Sequence, residues 1–283
     1  MAKKTVSSNT NPETTSQQKI ALVTGGSSGI GKATVLELYK QGYKVYAAAR
    51  NLDKMKDLEE QGISIIQLDV TDEKATKSCI DQVIKKENKI DVLVNGAGMG
   101  VFGSVEETSM EDAHYQFDVN LFGMARLTKY VVPHMRKRKA GTIVNISSMI
   151  GKFPVPLGAY YIASKHAVEG WSDCLRIELE PFNIRVIIIE PGVTKTGFGE
   201  AMKAAFLARS SKGPYQDFIF KPNQKKEASE PTDPLLVAET IAKAISNSKP
   251  ATRYPVGKDA KYLLWLRKWV SDRYFDKVVK EKF

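Results

Sequence analysis

Tyr161 and Lys165 stand four residues apart in a segment with helical character, and Ser147 and Ser148 precede them by a short loop. Positions i and i+4 of a helix lie on the same face, so the phenol and the ammonium point into the same space. A free phenol has a pKa of about 10, and a nearby ammonium lowers that pKa by stabilising the phenolate. The pair therefore suits acid–base chemistry near neutral pH.

Short apolar runs alternate with helix-period segments from residue 20 onward, which predicts strands and helices in turn. The expected strands cover residues 20–23, 45–49, 63–68, 92–94, 142–146, 184–189 and 253–256. The expected helices cover residues 31–41, 53–61, 72–87, 110–139 and 163–180. This alternation predicts an α/β fold, a doubly wound Rossmann-type parallel sheet of about seven strands with helices on both faces.

The chain organisation predicts one catalytic domain behind a tail. Residues 1–18 are polar and are expected to be a disordered tail, and residues 19–283 to form a single dinucleotide-binding domain. Within it, the irregular segment 194–234 is expected to be a substrate lid. Segment 258–283 is expected to be a basic amphipathic helix that covers the substrate end or a dimer face. Peripheral membrane contact is its alternative.

Composition narrows the class of protein. The chain has 283 residues and a formal charge of +10, which favours anionic partners such as a phosphorylated cofactor. Nucleic-acid binding has no motif in its favour and is not expected. Cys79 and Cys174 are expected to be buried, reduced thiols, and His114, His134 and His166 lack metal-ligand spacing. With neither a secretory signal nor an apolar run of about 18 residues, a cytoplasmic protein without a metal site is expected.

A glycine-rich turn follows the first expected strand, with the spacing Gly25-x-x-x-Gly29-x-Gly31. Glycines at such a turn let the backbone approach a pyrophosphate, which then sits at the N-terminus of the next helix. A plain glycine turn is the alternative. The position of the turn in the strand–helix alternation favours dinucleotide binding.

An ordered set of motifs resembles the short-chain dehydrogenase/reductase family over roughly residues 19–200. The set comprises TGGSSGIG, Asp69-Val70, Asn95-Gly96-Ala97-Gly98, Asn120, Ser148, Tyr161-x-x-x-Lys165 and Pro191-Gly192. The second residue of Asn95-Gly96-Ala97-Gly98 departs from the family's usual Asn-Asn-Ala-Gly, which bears on the support of the fourth strand. The resemblance, which extends to the steroid-, retinoid- and carbonyl-reducing branches, implies an enzyme that interconverts a carbonyl and a secondary alcohol by hydride transfer.

The resemblance also implies a role for each site residue. Tyr161 would donate the proton to the carbonyl oxygen. Lys165 would lower the pKa of the Tyr161 phenol and hold the nicotinamide ribose. Ser148, rather than Ser147, would hold the substrate oxygen, and Asn120 would help to hold the lysine through water. The implied cofactor contacts are Gly25, Ser27, Ser28, Gly29, Ile30, Gly31, Asp69, Val70, Asn95, Ala97, Gly98, Pro191, Gly192, Val193 and Thr194, with Tyr161 and Lys165.

The end of the second strand distinguishes the two nicotinamide cofactors. An acidic residue there would bind the adenosine ribose hydroxyls of NAD, whereas a basic residue accommodates the 2′-phosphate of NADP. Arg50 follows this strand and no acid occurs before Asp53, so NADP is predicted, with Ser27 or Ser28 as helpers. An arginine that merely opens an exposed loop is the alternative.

Apolar residues surround the expected site. Met149, Ile150, Phe153, Pro154, Val155, Pro156 and Leu157 precede the tyrosine, and Phe198, Met202, Phe206 and Leu207 follow in the lid. They favour a lipophilic carbonyl or alcohol substrate, although packing among themselves or against a partner subunit is the alternative. A homodimer or homotetramer is expected. Alternative functions are a 3-oxoacyl thioester reductase and a non-catalytic nucleotide-sensing module on the same fold.

Overall fold

Seven parallel strands form one sheet in the computed structural model, which describes residues 18–210, 213–216 and 230–282. The strand order is β3-β2-β1-β4-β5-β6-β7. Their bounds are β1 Ile20–Thr24, β2 Lys44–Ala49, β3 Ser64–Gln67, β4 Val92–Asn95, β5 Gly141–Ile146, β6 Ile184–Pro191 and β7 Arg253–Val256. The order reverses between β1 and β4, and ligands of such sheets bind at that point, outside the carboxyl ends of the strands.

Helices cover both faces of the sheet. Their bounds are α1 Gly29–Lys40, α2 Lys56–Glu59, α3 Glu73–Glu87, α4 Met110–Phe117, α5 Gly123–Arg138, α6 Ala159–Leu179, α7 Gly197–Ser210, α8 Pro234–Ser246, α9 Lys258–Arg267 and α10 Asp272–Lys282. Helices α1 and α8 pack on one face, and α3, α5 and α6 pack on the other. The strands are rich in Ile, Val and Leu because both of their faces are buried. The predicted Rossmann-type parallel sheet is confirmed.

A one-residue irregularity interrupts the long helix expected over residues 110–139. Residues Asp118–Phe122 form a π turn between α4 and α5, and Asn120 lies within it. Single π turns are rare and occur often at functional sites. The tyrosine–lysine helix also begins earlier than expected, at Ala159, so Tyr161 and Lys165 both lie in its first two turns.

The C-terminal segment contains two helices, α9 and α10, where the sequence predicts one. Ser271 precedes α10, and Asp272 opens it with the acidic charge that suits a helix N-terminus. Leu263 and Phe275 of these helices are buried, whereas Trp269 is 75% exposed. Val270, the next residue, packs against the apolar cluster that contains Leu263 and Phe275.

Three other expectations have mixed outcomes. The tail largely lies outside the described residues, since they begin at Gln18. The segment 194–234, expected to be an irregular lid, contains helix α7. Residues 211–212 and 217–229 of this segment lie outside the residues that the structure describes. Cys79 is buried between α3 and the sheet, but Cys174 is exposed, because α6 packs through Leu175 and Leu179 and turns Cys174 outward.

Candidate active site

The side chains of Ser148, Tyr161 and Lys165 meet where β5 ends and α6 begins. The Ser148 hydroxyl and the Tyr161 phenol form a side-chain hydrogen bond. Lys165 Nζ donates to the Ile146 carbonyl at 2.9 Å and lies 5.8 Å from the centroid of the Tyr161 ring. Ser147 is also buried, but its Oγ has no hydrogen-bond partner among the described residues. The structure therefore brings Ser148, and not Ser147, to the tyrosine.

Burial sets the ionisation of the tyrosine and the lysine. Burial raises the pKa of Tyr161 to about 12, and the hydrogen bond from Ser148 opposes the shift. Burial lowers the pKa of Lys165 to about 8, and the Glu169 carboxylate opposes that shift. The sequence predicts that Lys165 lowers the pKa of Tyr161, whereas in the structure burial raises this pKa and Ser148 is the group that opposes the rise. At neutral pH the phenol carries its proton and most of the lysine is charged.

Asn120 connects the π turn to the segment after β4 and to α6. Its Oδ1 accepts from the Met99 N–H at 2.8 Å, and its Nδ2 donates to the Met99 carbonyl at 2.9 Å. Nδ2 also donates to Ser164 Oγ at 3.0 Å, beside Lys165 on α6. A Cβ on Gly98 would lie 3.5 Å from Asn120 Oδ1 and 3.9 Å from Lys165 Nζ. The asparagine thus lies at the lysine without a direct hydrogen bond to it.

Thr24 and two glycines hold the glycine turn against the end of β4. Thr24 Oγ1 donates to the Val94 carbonyl at 3.3 Å and accepts from the Gly96 and Ala97 N–H groups at 3.1 and 3.2 Å. Gly25 has φ +71°, and a Cβ there would lie 2.6 Å from the Gly96 carbonyl oxygen. Gly96 itself has no room for a Cβ, which would lie 2.6 Å from the Thr24 carbonyl oxygen. The departure from Asn-Asn-Ala-Gly at Gly96 therefore coincides with close backbone packing.

The N-terminus of α1 suits the pyrophosphate of a dinucleotide. Ser28 is the N-cap residue of α1, yet its side chain makes no capping hydrogen bond, and the first turn contains no acidic residue. Backbone N–H groups and the positive end of the helix dipole thus stay available for an anion. Gly29, Ile30 and Gly31 form this first turn, and Ser27 and Ser28 precede it. These residues fit the group that the sequence predicts.

Arg50 immediately follows β2, beside the glycine turn, where the Gly26 N–H donates to the Ala48 carbonyl at 3.2 Å. The arginine is exposed, and its Nη1 donates to Tyr115 Oη at 2.9 Å. Beyond β3, Asp69 accepts from the N–H and hydroxyl of Thr71 at 2.9 and 2.8 Å. Its neighbour Val70 packs on Gly123 at the start of α5.

The segment after β6 borders the site and holds both ends of the lid together. The Gly192 N–H donates to the Val256 carbonyl at 2.9 Å, and Thr194 Oγ1 donates to the Gly192 carbonyl at 3.0 Å. Val193 accepts from the Thr232 N–H at 2.8 Å, and Thr194 and Thr232 form an isolated parallel bridge. Residues 194 and 232 thus meet near the end of β6, which ends at Pro191.

Aromatic rings from two loops face the tyrosine. The ring centroid of Tyr161 lies 5.4 Å from that of Phe102 and 5.9 Å from that of Phe198 at the start of α7. Arg209 of α7 binds Asp112 of α4, at 2.6 Å between Nη2 and Oδ2. Helix α7 thus contacts the tyrosine through Phe198, and its role as a substrate lid stays a prediction. Phe102 was not predicted as a site residue. It lies after the Asn95–Gly98 motif in a stretch whose apolar residues follow neither a helical nor a strand period.

The apolar segment before the tyrosine packs largely inward. Met149, Ile150 and Phe153 are buried, and Phe153 lies 5.2 Å from Phe275 of α10 between ring centroids. Together with Tyr161 and Leu263 they belong to one apolar cluster under α9 and α10. For these three residues the packing alternative is correct. Val155 and Leu157 remain half-buried beside the site, whereas the side chain of Met202 lies outside the described residues.

Two buried polar groups near the site were not predicted from the sequence. Asn95 Nδ2 donates to Asn145 Oδ1 at 2.9 Å, and Asn145 Nδ2 donates to Ser172 Oγ at 2.9 Å, which links β4, β5 and α6. The second group contains the buried carboxylates of Glu169 and Glu190, which both lie at Arg253. Their partners come from distant parts of the chain, so no local spacing marks them.

Comparison with known proteins agrees with this arrangement. The family model described as short chain dehydrogenase matches residues 19–205. A 3-ketodihydrosphingosine reductase of Bacteroides thetaiotaomicron is 35% identical over 260 residues, which cover 90% of this chain and 94% of that protein.

Two solved structures are also similar. A short-chain dehydrogenase from Streptomyces avermitilis is 33% identical and superimposes with a TM-score of 0.78. The match covers 92% of this chain and 94% of the Streptomyces chain. A variant of the actinorhodin polyketide ketoreductase with NADPH has a TM-score of 0.75 at 29% identity, covering 86% of this chain and 97% of its own.

Proposed function

The chain belongs to the short-chain dehydrogenase family and is an oxidoreductase, and from this premise we propose that it reduces a lipophilic carbonyl to a secondary alcohol with NADPH. The meeting of Ser148, Tyr161 and Lys165 at the carboxyl end of β5 carries the proposal. The apolar rings of Phe102 and Phe198 beside the phenol favour a lipophilic substrate. The similar reductase named for 3-ketodihydrosphingosine supports a keto substrate.

Each site residue has a task in the proposed reaction. The phenol of Tyr161 carries its proton at neutral pH and would donate it to the carbonyl oxygen, which the Ser148 hydroxyl holds in place. The Lys165 ammonium would stabilise the resulting phenolate and hold the ribose. Bound NADPH supplies the hydride. Asn120 keeps the segment after β4 fixed to α6 beside the lysine.

The cofactor would lie along the carboxyl ends of the strands. The first turn of α1 would bind its pyrophosphate, and Asp69 and Val70 would contact its adenine. Asn95 at the end of β4, with Ala97 and Gly98 after it, would border the cofactor. So would Pro191 at the end of β6, with Gly192, Val193 and Thr194 after it.

A carbonyl panel tests the proposed function directly. Purified protein is incubated with NADPH and with lipophilic ketones and aldehydes, and cofactor oxidation is followed by absorbance. We expect turnover on long-chain or cyclic apolar ketones. A 3-oxoacyl thioester belongs in the same panel, and turnover confined to it would favour that alternative. Binding of NADPH without turnover of any carbonyl or alcohol would favour the nucleotide-sensing alternative.

Arg50 is the proposed partner of the 2′-phosphate of NADP. Because a hydrogen bond between charged groups contributes about 1.5–3 kcal/mol, we expect Arg50→Ala to weaken NADPH binding by about 10–100-fold. NADH, which lacks the 2′-phosphate, should bind Arg50→Ala and wild type equally well. Fluorescence titration with both cofactors measures this difference.

Lys54→Ala is the matched control for Arg50→Ala, since Lys54 is an exposed cation one turn further along the chain. It should leave both affinities unchanged. Unchanged affinity for both cofactors in Arg50→Ala would show that the arginine only opens an exposed loop, and equal losses would show that it contacts a part that both cofactors share.

The outward face of α9 is a proposed contact with an anionic lipid surface. Tyr262, Trp265 and Trp269 are 55%, 59% and 75% exposed, and Lys261 and Lys268 are exposed beside them. Tryptophan, tyrosine and lysine together suit the interface of a bilayer with acidic headgroups. The inner face of α9 packs in the cluster that contains Tyr161, so a membrane-dissolved substrate would reach the site nearby. No helix among the described residues has the length and apolarity needed to span a bilayer.

Vesicle sedimentation tests this surface. Wild type should sediment with phosphatidylserine-containing vesicles and not with pure phosphatidylcholine, and W265A/W269A should lose most of this binding. Removing α9 and α10 altogether would expose the buried Leu263 and Phe275, so point substitutions are the cleaner test. F122A/I177A, which removes two exposed apolar residues elsewhere, should sediment as wild type does. Binding retained in W265A/W269A, or a loss of self-association in its place, would refute the lipid contact.

A homodimer or homotetramer and a cytoplasmic location remain predictions from the sequence. Sedimentation velocity of the full chain measures the first.

A further inference from the structure

A buried carboxylate, Glu169, lies one helical turn after Lys165 on α6. Only 2% of Glu169 is exposed. A Cβ on Gly151 would lie 2.9 Å from Ser147 Oγ, 3.2 Å from the Lys165 carbonyl oxygen and 3.4 Å from Glu169 Cγ. Ser147 Oγ, the Lys165 carbonyl and the Glu169 side chain therefore border one small space beside Gly151. The tasks proposed above use neither Ser147 nor Glu169.

Two cations hold one oxygen of this carboxylate. Lys152 Nζ and Arg253 Nε each lie 3.0 Å from Glu169 Oε2. The other oxygen, Oε1, is buried without a hydrogen-bond partner among the described residues. A buried carboxylate with two cationic contacts is stabilised as the anion, because the attraction offsets part of its desolvation.

A second buried carboxylate, Glu190 of β6, belongs to the same cluster. It is 3% exposed, and the cation nearest to it, Arg253 Nε, is 3.6 Å from Oε1. Burial and, second, the charge of Glu169 raise the pKa of Glu190 to about 7. Two neighbouring carboxylates rarely ionise together, and Glu169 has the better cationic contacts. A proton taken up by the pair is therefore held by Glu190, whose pKa of about 7 means that it loses this proton above neutral pH.

We propose that Glu169 is a positioning residue whose negative charge, one helical turn from Lys165, keeps Lys165 as an ammonium in its buried site. The inference about charge rests on two buried groups one turn apart on α6, and its catalytic meaning rests on the proposed function. Burial pulls the pKa of Lys165 down to about 8, and Glu169 is the group that opposes this pull. Loss of the carboxylate would lower that pKa further, so the neutral amine would form at physiological pH.

Other charges around the pair do not replace this effect. Asp173, further along α6, lies 2.6 Å from Arg253 Nη2 and 3.3 Å from Arg176 Nη2. The charged groups that face the pair are Lys165 and Asp173 from α6, Lys152 from the loop before it, Arg253 from β7 and Lys268 after α9. Of these, Lys152, Arg253 and Lys268 are cations, which would disfavour an ammonium at Lys165 once Glu169 is neutral.

The test follows the titration of Lys165 itself by NMR in the full-length protein labelled with ¹⁵N,¹³C-lysine, with the signal assigned from Lys165→Met. We expect Glu169→Gln to lower the titration midpoint of Lys165 by about one pH unit. An opposite charge one helical turn away contributes about this much in a partly screened interior, and the substitution removes it. In the same variant, the alkaline limb of the pH profile of kcat/KM should move to lower pH by the same amount.

Two matched variants separate charge from packing. Glu190→Gln makes the same chemical change in the same cluster, but on β6 and not one turn from Lys165 on α6, so it should move the midpoint much less than Glu169→Gln does. Glu169→Asp keeps the charge on a shorter side chain and should retain the wild-type midpoint. It also provides a second test of the charge if Glu169→Gln fails to fold. An unchanged midpoint in Glu169→Gln, or an equal fall in Glu169→Asp, would overturn the proposal. A protein without turnover would refute the proposed function and leave the titration result intact.

Discussion

Tyr161→Phe is expected to lower kcat for carbonyl reduction by about 10³-fold, within the range that a positioned proton donor contributes. The substitution removes only the phenolic oxygen, so the apolar contacts of the ring with Phe102 and Phe198 are retained. Cofactor and substrate affinities should therefore change little. Single-turnover kinetics with saturating NADPH measure the chemical step directly.

The neighbouring tyrosine provides the control. Tyr160 is half-buried, and its hydroxyl contacts Met110 Sδ at 3.7 Å on the side of α4. Tyr160→Phe should retain wild-type turnover. If Tyr161→Phe kept its activity, or if Tyr160→Phe lost as much, the proton donor would have to be a different group.

Gly31→Ala is the second substitution with a large expected effect. A Cβ at this position would lie 2.6 Å from the carbonyl carbon of Gly25 and closer still to its oxygen. Because the obstacle is backbone in a packed turn, relief requires a shift of α1 away from β1. We expect a loss of about 1–3 kcal/mol in the free energy of unfolding, together with weakened NADPH binding. Urea denaturation and fluorescence titration measure the two effects.

Gly170→Ala is the matched control, since Gly170 is also a helical glycine, within α6. A Cβ on Gly170 would meet no neighbouring atom within 4 Å. Alanine has the higher helix propensity, so this substitution should stabilise the protein by up to about 1 kcal/mol. Similar unfolding midpoints for the two variants would show that the turn around Gly25 can relax at little cost.

The sequence predicts the sheet and the meeting of Ser148, Tyr161 and Lys165 because both are encoded in short stretches of neighbouring residues. Buried parallel strands appear as apolar runs, and a helical spacing of four brings a phenol and an ammonium together. The motifs also follow the order of the strands, whose carboxyl ends all lie on one edge. Knowledge of the chain order was therefore sufficient to place the glycine turn next to Asn95–Gly98.

Groups assembled from distant segments could not be predicted in this way. Glu169 and Glu190 have the composition of ordinary surface residues, and Arg253, which contacts both, follows them by more than sixty positions in the chain. The ionisation of Tyr161 depends on burial by Phe102 and by α7, and spacing along the chain contains no measure of burial. The break between α9 and α10 was detectable, since Ser271-Asp272 is a typical helix start.

The π turn at Asp118–Phe122 has a consequence for the angular phase of the segment Met110–Arg138. Each residue of an α-helix advances the side chains by about 100°, and a π turn contains one residue more than an α turn. A single helical wheel drawn through the whole segment would therefore assign the residues of α5 to the wrong side by about 100°. Deleting one residue at the π turn would join α4 and α5 into a continuous helix, and it would rotate either Ala113 or Leu127 out of the interior.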